Sequence, residues 1–481
     1  MSNKLGFSCV WLTAALSAFT TASVGCSDDD KKAPSDEPNT LPNEMLPDAG
    51  GGAGGARGSD ETGNAGGTDP RPALPGELTL PIVFVHGFAG SAQQFDSQAM
   101  RFVANGFPAE RLFAYEHDGA GFAIETFVTE LDAYIDDVRE KFSTDKVYVI
   151  GHSRGTSVSS MYLGDPARAA KVAKYIALDG AGCANVPIPC IAPAQTTNMR
   201  AGQTDPLPGH KHVEVATSKV SFGLQYAFLF DRKPEVVDIV KQRAPVVISG
   251  RAVNFPANTG REGARLDVWK IDNDTGLRID NDVRATFDVD PNGNWGPFTV
   301  DPDSHYEFVL STDADSGQHH FYMQRFLRSS AFVRLLSGPP TSDARLNSHI
   351  TDYQTNLTVS RMREWTTDDA LTVEIRSENG DQEARNVISE ATRSDRIAIY
   401  LQDDEATPKE TTLNLLPWFP DQPFQTGVDL YLPASAEKPN GTITLTNEPR
   451  GDSDSPQVVH VPNWAASQHT VSVLFSDYPQ P

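Results

Sequence analysis

The sequence predicts an α/β domain, a parallel sheet covered by helices, followed by C-terminal all-β, sandwich-like modules. Two observations carry that prediction. Between about residues 81 and 178, short apolar runs rich in β-formers alternate with stretches whose apolar residues recur every three or four positions. Beyond about residue 245 the period falls to two, with Gly, Pro, Asn and Asp between the runs.

Pro81-Ile-Val-Phe-Val-His86 is a run of the kind that both-face burial demands, and Gly87 turns it. Phe95, Ala99, Phe102 and Val103 follow at helical spacing until Gly106, and Arg111 to Tyr115 reads as the next strand. Ile124, Phe127, Val128, Leu131, Ile135, Val138 and Phe142 form a long stripe at i, i+3, i+4, i+7, the mark of a crossover helix. Lys146 to Ile150 is a strand, and a helix with Val158, Met161 and Tyr162 on one face ends at Gly164-Asp165-Pro166. Ala173 to Leu178 is a further strand, and Glu235 to Lys241 is read as a helix. After it, Leu266/Val268, Ala285/Phe287/Val289, Tyr306/Phe308/Leu310, Ile397/Ile399/Leu401, Val428/Leu430/Leu432 and Val471/Val473/Phe475 alternate, which predicts antiparallel pairing. The expected modules are 79–245 for the α/β domain, 246–337 for one β-sandwich and 338–481 for a second β module.

The remaining N-terminal part is of another kind. Lys4 precedes an apolar or small stretch, Phe7 to Val24, with no charge before Asp28, as in an export signal. Ser23-Val24-Gly25-Cys26 resembles the lipobox of bacterial lipoproteins, with Ser23 where that family has Leu. The resemblance implies a signal over 1–26, lipidation of Cys26 and an exported, outer-membrane or cell-surface protein held by its lipid alone; without the lipid it would be a free secreted protein. Residues 27–78 are Asp, Pro, Gly and Ala with no aliphatic pattern, so they read as a linker, on the order of 40 Å in root-mean-square span. Gly50, Gly52 and Gly55 fit GxGxxG there, but no strand precedes them and they carry no nucleotide meaning. A formal net charge of −24 argues against a nucleic-acid partner, which would reward a basic face.

Chemistry concentrates at Gly151-His152-Ser153-Arg154-Gly155, a GxSxG pattern between a strand and a helix. This is the nucleophile elbow of the α/β-hydrolase fold, in which a strained turn lifts the Ser hydroxyl clear of the sheet while glycines let strand and helix pass closely. Ser153 is thus the candidate nucleophile, with the N–H groups of Phe88 and Arg154 as oxyanion hole. The Arg154 side chain is read as solvated on the helix surface. An acid and a His should follow in that order. Asp179, at the end of a strand, and Asp205 both qualify as the acid, and His210 and His212 as the base; spacing does not choose between them. His86 and His152 read as structural, and His117 precedes the Ser.

The run Val83-Phe-Val-His-Gly-Phe-Ala-Gly-Ser-Ala-Gln-Gln-Phe, the GHSRG elbow, Ala167-Arg-Ala-Ala-Lys-Val, Leu178-Asp-Gly and His212-Val-Glu together resemble the two-domain lipases typified by the Archaeoglobus fulgidus enzyme. The resemblance covers about residues 81 to 245 well and the rest more loosely. It implies a carboxylic ester hydrolase acting on acyl esters or lipids, a lipase or esterase with Ser153, Asp179 and His212 as triad. The relative carries a lid before its crossover helix, whereas here only Glu116 to Ala123 separate Tyr115 from Ile124. An uncovered site suits soluble short- to medium-chain esters. A thioesterase, amidase or polyester hydrolase would use the same triad, and a surface binding lipoprotein could keep the hydrolase domain as a scaffold.

Cys9 falls in the signal and Cys26 at the lipidation site, which leaves Cys183 and Cys190 to form a disulfide in an oxidising compartment. No cofactor is expected and no metal, since no His/Cys set has zinc spacing. Asp288-Val-Asp-Pro-Asn-Gly-Asn begins like a calcium loop but has Thr299 where Glu is required, and reads as a hairpin turn.

Overall fold

Continuous apolar runs build the first sheet. In the computed structural model, β1 (Ile82–Val85), β2 (Leu112–Tyr115), β3 (Val147–His152), β4 (Val172–Leu178) and β5 (Cys190–Ile191) lie in the order β2-β1-β3-β4-β5, every pair parallel. The structure describes residues 74, 79–196, 202–311, 317–338, 347–393, 395–405, 407–451 and 454–480. The expected signal, Cys26, the Gly50/Gly52/Gly55 pattern and, Leu74 aside, the linker lie outside the described residues. No helix among the described residues is long and apolar enough to cross a membrane.

All residues of β1 and β3 are buried because both faces of the sheet are covered. Side-chain alternation deals Phe84, Ile150 and Leu178 to one face, where they meet Phe102 of α1 (Asp96–Ala104) and Phe222 and Tyr226 of a later helix. Val85, Val149 and Tyr175 go to the other face, against Leu131 and Ile135 of α2 (Ile124–Lys141) and Val158 and Tyr162 of α3 (Arg154–Leu163). A short α4 (Pro166–Ala169) starts at Asp165, whose carboxylate accepts the N–H groups of Ala167 and Arg168.

One helix is misplaced in the sequence reading. Residues 235–241 are not helical. Their backbone is satisfied from elsewhere: Asn105 Oδ1 accepts from the N–H of Glu235 and Val236, and Asn105 Nδ2 and Arg101 Nε donate to the carbonyls of Val236 and Val237. The helices lie earlier, α5 (Glu214–Thr217) and α6 (Lys219–Phe230). Lys219-Val-Ser-Phe-Gly-Leu-Gln-Tyr-Ala-Phe-Leu-Phe is apolar on nearly every side, so it shows no amphipathic stripe.

The period-two region does form strands, but the pairing is mixed rather than wholly antiparallel. An eight-stranded sheet runs Ala285–Asp288, Arg265–Ile271, His305–Ser311, Gln318–Met323, His469–Phe475, Leu357–Arg361, Ala398–Gln402, Gln425–Asp429. His469–Phe475 inserts parallel to both its neighbours, and Ala398–Gln402 pairs parallel with Gln425–Asp429. Alternation reports which face a residue takes, and that period is the same for both pairing senses. The last strand thereby joins the two β modules in one sheet across residues 337/338. The Asp288 to Asn294 segment is a turn, with Asn294 N–H on Asp290 Oδ1 at 2.8 Å and Gly293 N–H on the Asp290 carbonyl at 2.8 Å.

The first β module packs directly on the α/β domain. Phe332 meets Phe84 edge-on at 5.9 Å, and Glu116, just past β2, is buried between Arg251 and Arg334 at 2.7 and 2.9 Å, with Ala92 N–H donating to it at 2.6 Å. Burial by itself would raise the Glu116 pKa, but the two guanidinium groups outweigh it and hold the carboxyl well below the usual range. Glu116→Gln should cost about 3–5 kcal/mol, because two buried cations lose their counter-charge; urea denaturation checks it, and an unchanged midpoint would refute it. A second interdomain carboxyl behaves oppositely. Burial raises the Asp96 pKa from 3.8 to about 6, with Asp477 adding to the rise and the Ser330 hydroxyl opposing it. The neutral acid is favoured in the folded state, so its stabilising share is complete below pH 4 and lost as pH rises through about 6. Asp96→Asn should raise the melting temperature at pH 7 by roughly a few degrees and leave it unchanged at pH 4, as scanning calorimetry at the two pH values will test.

Candidate active site

The end of β3 is where the backbone is most constrained. Ser153 has φ 53° and ψ −121°, a conformation that costs a non-glycine residue roughly 1–3 kcal/mol. Its N–H donates to the Leu178 carbonyl at 3.0 Å and its carbonyl accepts from Thr156 Oγ1 at 2.6 Å, which holds the turn. Two glycines make the turn possible. A Cβ on Gly155 would stand 2.1 Å from the Val85 carbonyl oxygen, and one on Gly87 would stand 2.8 Å from Ser153 Cβ. The loop after β1 therefore passes directly over the serine.

Asp179 follows β4 at φ 42° and is buried. Its Oδ2 accepts from His212 Nδ1 at 2.6 Å and from Gln195 Nε2 at 2.9 Å, and its Oδ1 accepts the Gln195 N–H at 2.9 Å. A carboxylate only accepts, so Nδ1–H of His212 is the donor in this pair. The Ser153 hydroxyl and His212 Nε2 have no hydrogen-bond partner among the described residues, and catalytic contacts are commonly loose before substrate arrives. Asp205 instead accepts from Thr204 Oγ1 at 2.6 Å, and His210 lies on Ser218 Oγ at 2.9 Å and the Pro208 carbonyl at 3.2 Å. The choice that spacing left open is thus a matter of contact: the structure brings Asp179 to His212 and to neither competitor.

Three other histidines frame the site as neutral struts. Burial lowers His86 to about 4 and His117 to about 2, and drives His152 well below its ordinary value. His152 Nε2 donates to the His212 carbonyl at 3.0 Å, while its Nδ1 faces Gln94 Nε2 at 2.6 Å. The residue before the serine therefore holds the backbone of His212. Phe424 of the C-terminal module stacks over the His212 ring at 6.1 Å and 15°. Nothing in local sequence marks Gln195, Gln94 or Phe424, since each reaches the site only through tertiary packing.

At the proposed oxyanion position, the Phe88 and Arg154 N–H groups have no backbone acceptor among the described residues, Arg154 being the first residue of α3. The Arg154 side chain is half-buried and bonded to a neighbouring loop, not free on the helix surface. It donates to the carbonyls of Gly121 and, at 2.7 Å, Asp118, and lies over the rings of Phe88 and Phe127 at 5.3 and 5.5 Å. Burial lowers its pKa to about 10. Gly119 of the same segment bonds to the Pro256 carbonyl at 2.8 Å and accepts the Ala89 N–H at 2.9 Å. Asn258 Nδ2, from the first β module, donates to the carbonyls of Gly90 and His117 at 2.9 and 3.0 Å. The short 116–123 segment is thus tied down on several sides, with Phe122 72% exposed and stacked on Phe88 at 5.7 Å.

Residues 81–208 match the family model for the alpha/beta hydrolase fold, and residues 244–340 match the lipase C-terminal domain. The chain carries an α/β-hydrolase domain followed by a lipase-type domain. A third model, described as a C-terminal domain, matches residues 344–479. No curated protein matches the chain. Among solved structures, an extracellular α/β-hydrolase from a Paenibacillus species is 19% identical and aligns over 21% of this chain with a TM-score of 0.18. This chain spans 40% of that protein's length. A Bacillus licheniformis lipase in propeptide form is 12% identical over 83% of this chain and 97% of its own, with a TM-score of 0.25.

Cys183, in the segment after β4, and Cys190, the first residue of β5, are bonded, with Cα atoms 5.8 Å apart. Among the described residues, Asp403, Asp404 and Asp429 of the C-terminal module bring carboxylate oxygens within 4.8 Å of one another; Asp429 already accepts from Asp404 N–H at 3.1 Å and Thr412 N–H at 2.9 Å. The disulfide closes a short loop and should be worth about 2–3 kcal/mol by chain entropy. Cys183→Ser with Cys190→Ser should lower stability by that amount, and mass spectrometry of the non-reduced protein should recover one linked peptide; two free thiols would overturn the pairing.

Proposed function

We propose that the protein is a serine carboxylic ester hydrolase, lipase- or esterase-like, acting on short- to medium-chain acyl esters. The observation that supports it best is the Asp179–His212 hydrogen bond at 2.6 Å, with Ser153 held at φ 53° and its N–H on the carbonyl of Leu178, the residue before Asp179. Ser153 Oγ attacks the ester carbonyl carbon while His212 Nε2 takes its proton, and Asp179 stabilises the imidazolium through Nδ1–H. The Phe88 and Arg154 N–H groups stabilise the tetrahedral oxyanion, each worth about 3 kcal/mol of barrier. Collapse expels the alcohol, which receives the proton from His212. Water then attacks the acyl-Ser153 ester, giving a proton to His212, and the acid leaves as the serine is restored. The protein acts outside the cell membrane that exports it, held by lipid on Cys26, with an acyl ester or lipid as its substrate.

The pinned 116–123 segment supports a site with no moving cover there, so turnover should saturate with soluble ester and show no jump at an interface. Ser153→Ala should abolish hydrolysis of p-nitrophenyl butyrate with the fold retained. His212→Ala and Asp179→Asn should lose roughly three to four orders of magnitude, while His210→Ala and Asp205→Asn stay near wild type. Substantial turnover by a folded Ser153→Ala variant would sink the mechanism, and a rate that rises only above the solubility limit of tributyrin would sink the substrate reading.

A further inference from the structure

His212 lies in the 205–214 connection after the disulfide loop, a stretch with little structure of its own beyond the short strand Asp205–Leu207. Directly after the histidine comes the single-turn helix α5 (Glu214–Thr217), too short to hold itself in water. The N–H groups of Val213 and Glu214 open that turn and need acceptors. Both are supplied by Glu364, about 150 residues away in the C-terminal module: Oε1 accepts from Val213 and Oε2 from Glu214, the latter at 3.1 Å. Glu364 is fully buried.

Glu364 is itself anchored. The neighbouring Trp365 ring is fully buried under the Arg361 guanidinium at 3.8 Å. Arg361 Nη2 donates to the Glu364 carbonyl at 2.8 Å and to Asp369 at 2.7 Å. A second grip closes on the next residue of the loop, where the Glu214 carboxylate pairs with Arg363 at 2.7 Å and Arg450 at 2.9 Å. Arg450 also reaches the Glu364 carbonyl at 3.2 Å. Every one of these partners belongs to the C-terminal module, and the two residues they hold, Val213 and Glu214, follow directly on the histidine bonded to Asp179.

We propose that Glu364 is a positioning residue for His212: its two carboxylate oxygens clamp the backbone directly after the base, so that the C-terminal module sets the alignment of His212 with Ser153. The inference rests on the reading of His212 as the general base. A base displaced by about 1 Å can lose on the order of a hundredfold in rate while substrate binding is untouched. Glu364→Gln is the informative change. An amide keeps the volume but has one acceptor oxygen, and its NH2 group would face a second donor.

The experiment uses the full mature chain at 25 °C, with folding checked by near-ultraviolet circular dichroism. Glu364→Gln should lower kcat on p-nitrophenyl butyrate by 10- to 100-fold with KM within twofold, and slow labelling by a fluorophosphonate probe in step. In a His212→Ala background the same change should make no further difference, because the group it positions is gone. Wild-type kcat in a folded Glu364→Gln protein, or an equal further loss on top of His212→Ala, overturns the proposal. Should Glu364→Gln not fold, Arg363→Gln on the half-buried outer grip decides instead: about a 3- to 10-fold fall in kcat at constant KM is expected, and an unchanged kcat overturns it. Failure of the underlying reading looks different, since Ser153→Ala or His212→Ala would then remain active whatever Glu364 does.

Discussion

The buried carboxylate of Glu116 is the interaction on which the arrangement of modules turns. It sits one residue past β2, at the carboxyl edge of the sheet, and its partners Arg251 and Arg334 come from strands of the lipase-type domain. Three charges are removed from water together, and such a set is tolerable only when every one is paired. The pairing therefore dictates where Val246–Asn254 and Ser330–Ser337 must lie against the hydrolase domain. Once they do, Phe332 closes on Phe84, and Asn258 and Pro256 reach the loops over Ser153.

The two β modules then serve different halves of the same site. The lipase-type domain supports the side of the proposed oxyanion hole: Asn258 Nδ2 ties the Gly90 and His117 carbonyls together, and the Pro256 carbonyl holds Gly119. The C-terminal module supports the side of His212, the proposed base, through Glu364 on the backbone that follows it and Phe424 beside the ring. Because His469–Phe475 lies between strands of the two modules, one continuous sheet fixes these supports relative to each other. A site assembled from loops gains precision when its loops are held by rigid elements.

Strain and burial at the site are connected. Ser153 and Asp179 both adopt positive φ, which the surrounding packing must overcome. The neutral, buried histidines contribute to that packing: His152 on the His212 carbonyl and His117 on the His86 carbonyl turn potential charges into hydrogen-bonding struts. The Arg154 guanidinium, half-buried, ties down the carbonyls of Asp118 and Gly121.

Local pattern determined what local chemistry controls. The apolar runs and stripes of residues 81–178 define strands and helices because side-chain period follows backbone geometry, and GHSRG marks the elbow because only small neighbours tolerate that turn. The same local signals left Asp179 and Asp205, or His210 and His212, equivalent, since spacing along a chain says nothing of which carboxylate meets which imidazole. They misplaced a helix at 235–241, where Asn105 of a distant segment satisfies the backbone, and passed over α6, whose burial on all sides erases the stripe. They could not give the sense of strand pairing, which period two does not encode. Only tertiary structure supplies the Asp179–His212 contact, the helix positions and the pairing senses, and with them the contacts of Asn258, Gln195, Glu364 and Phe424, because each joins residues whose nearness is created by packing and not by sequence.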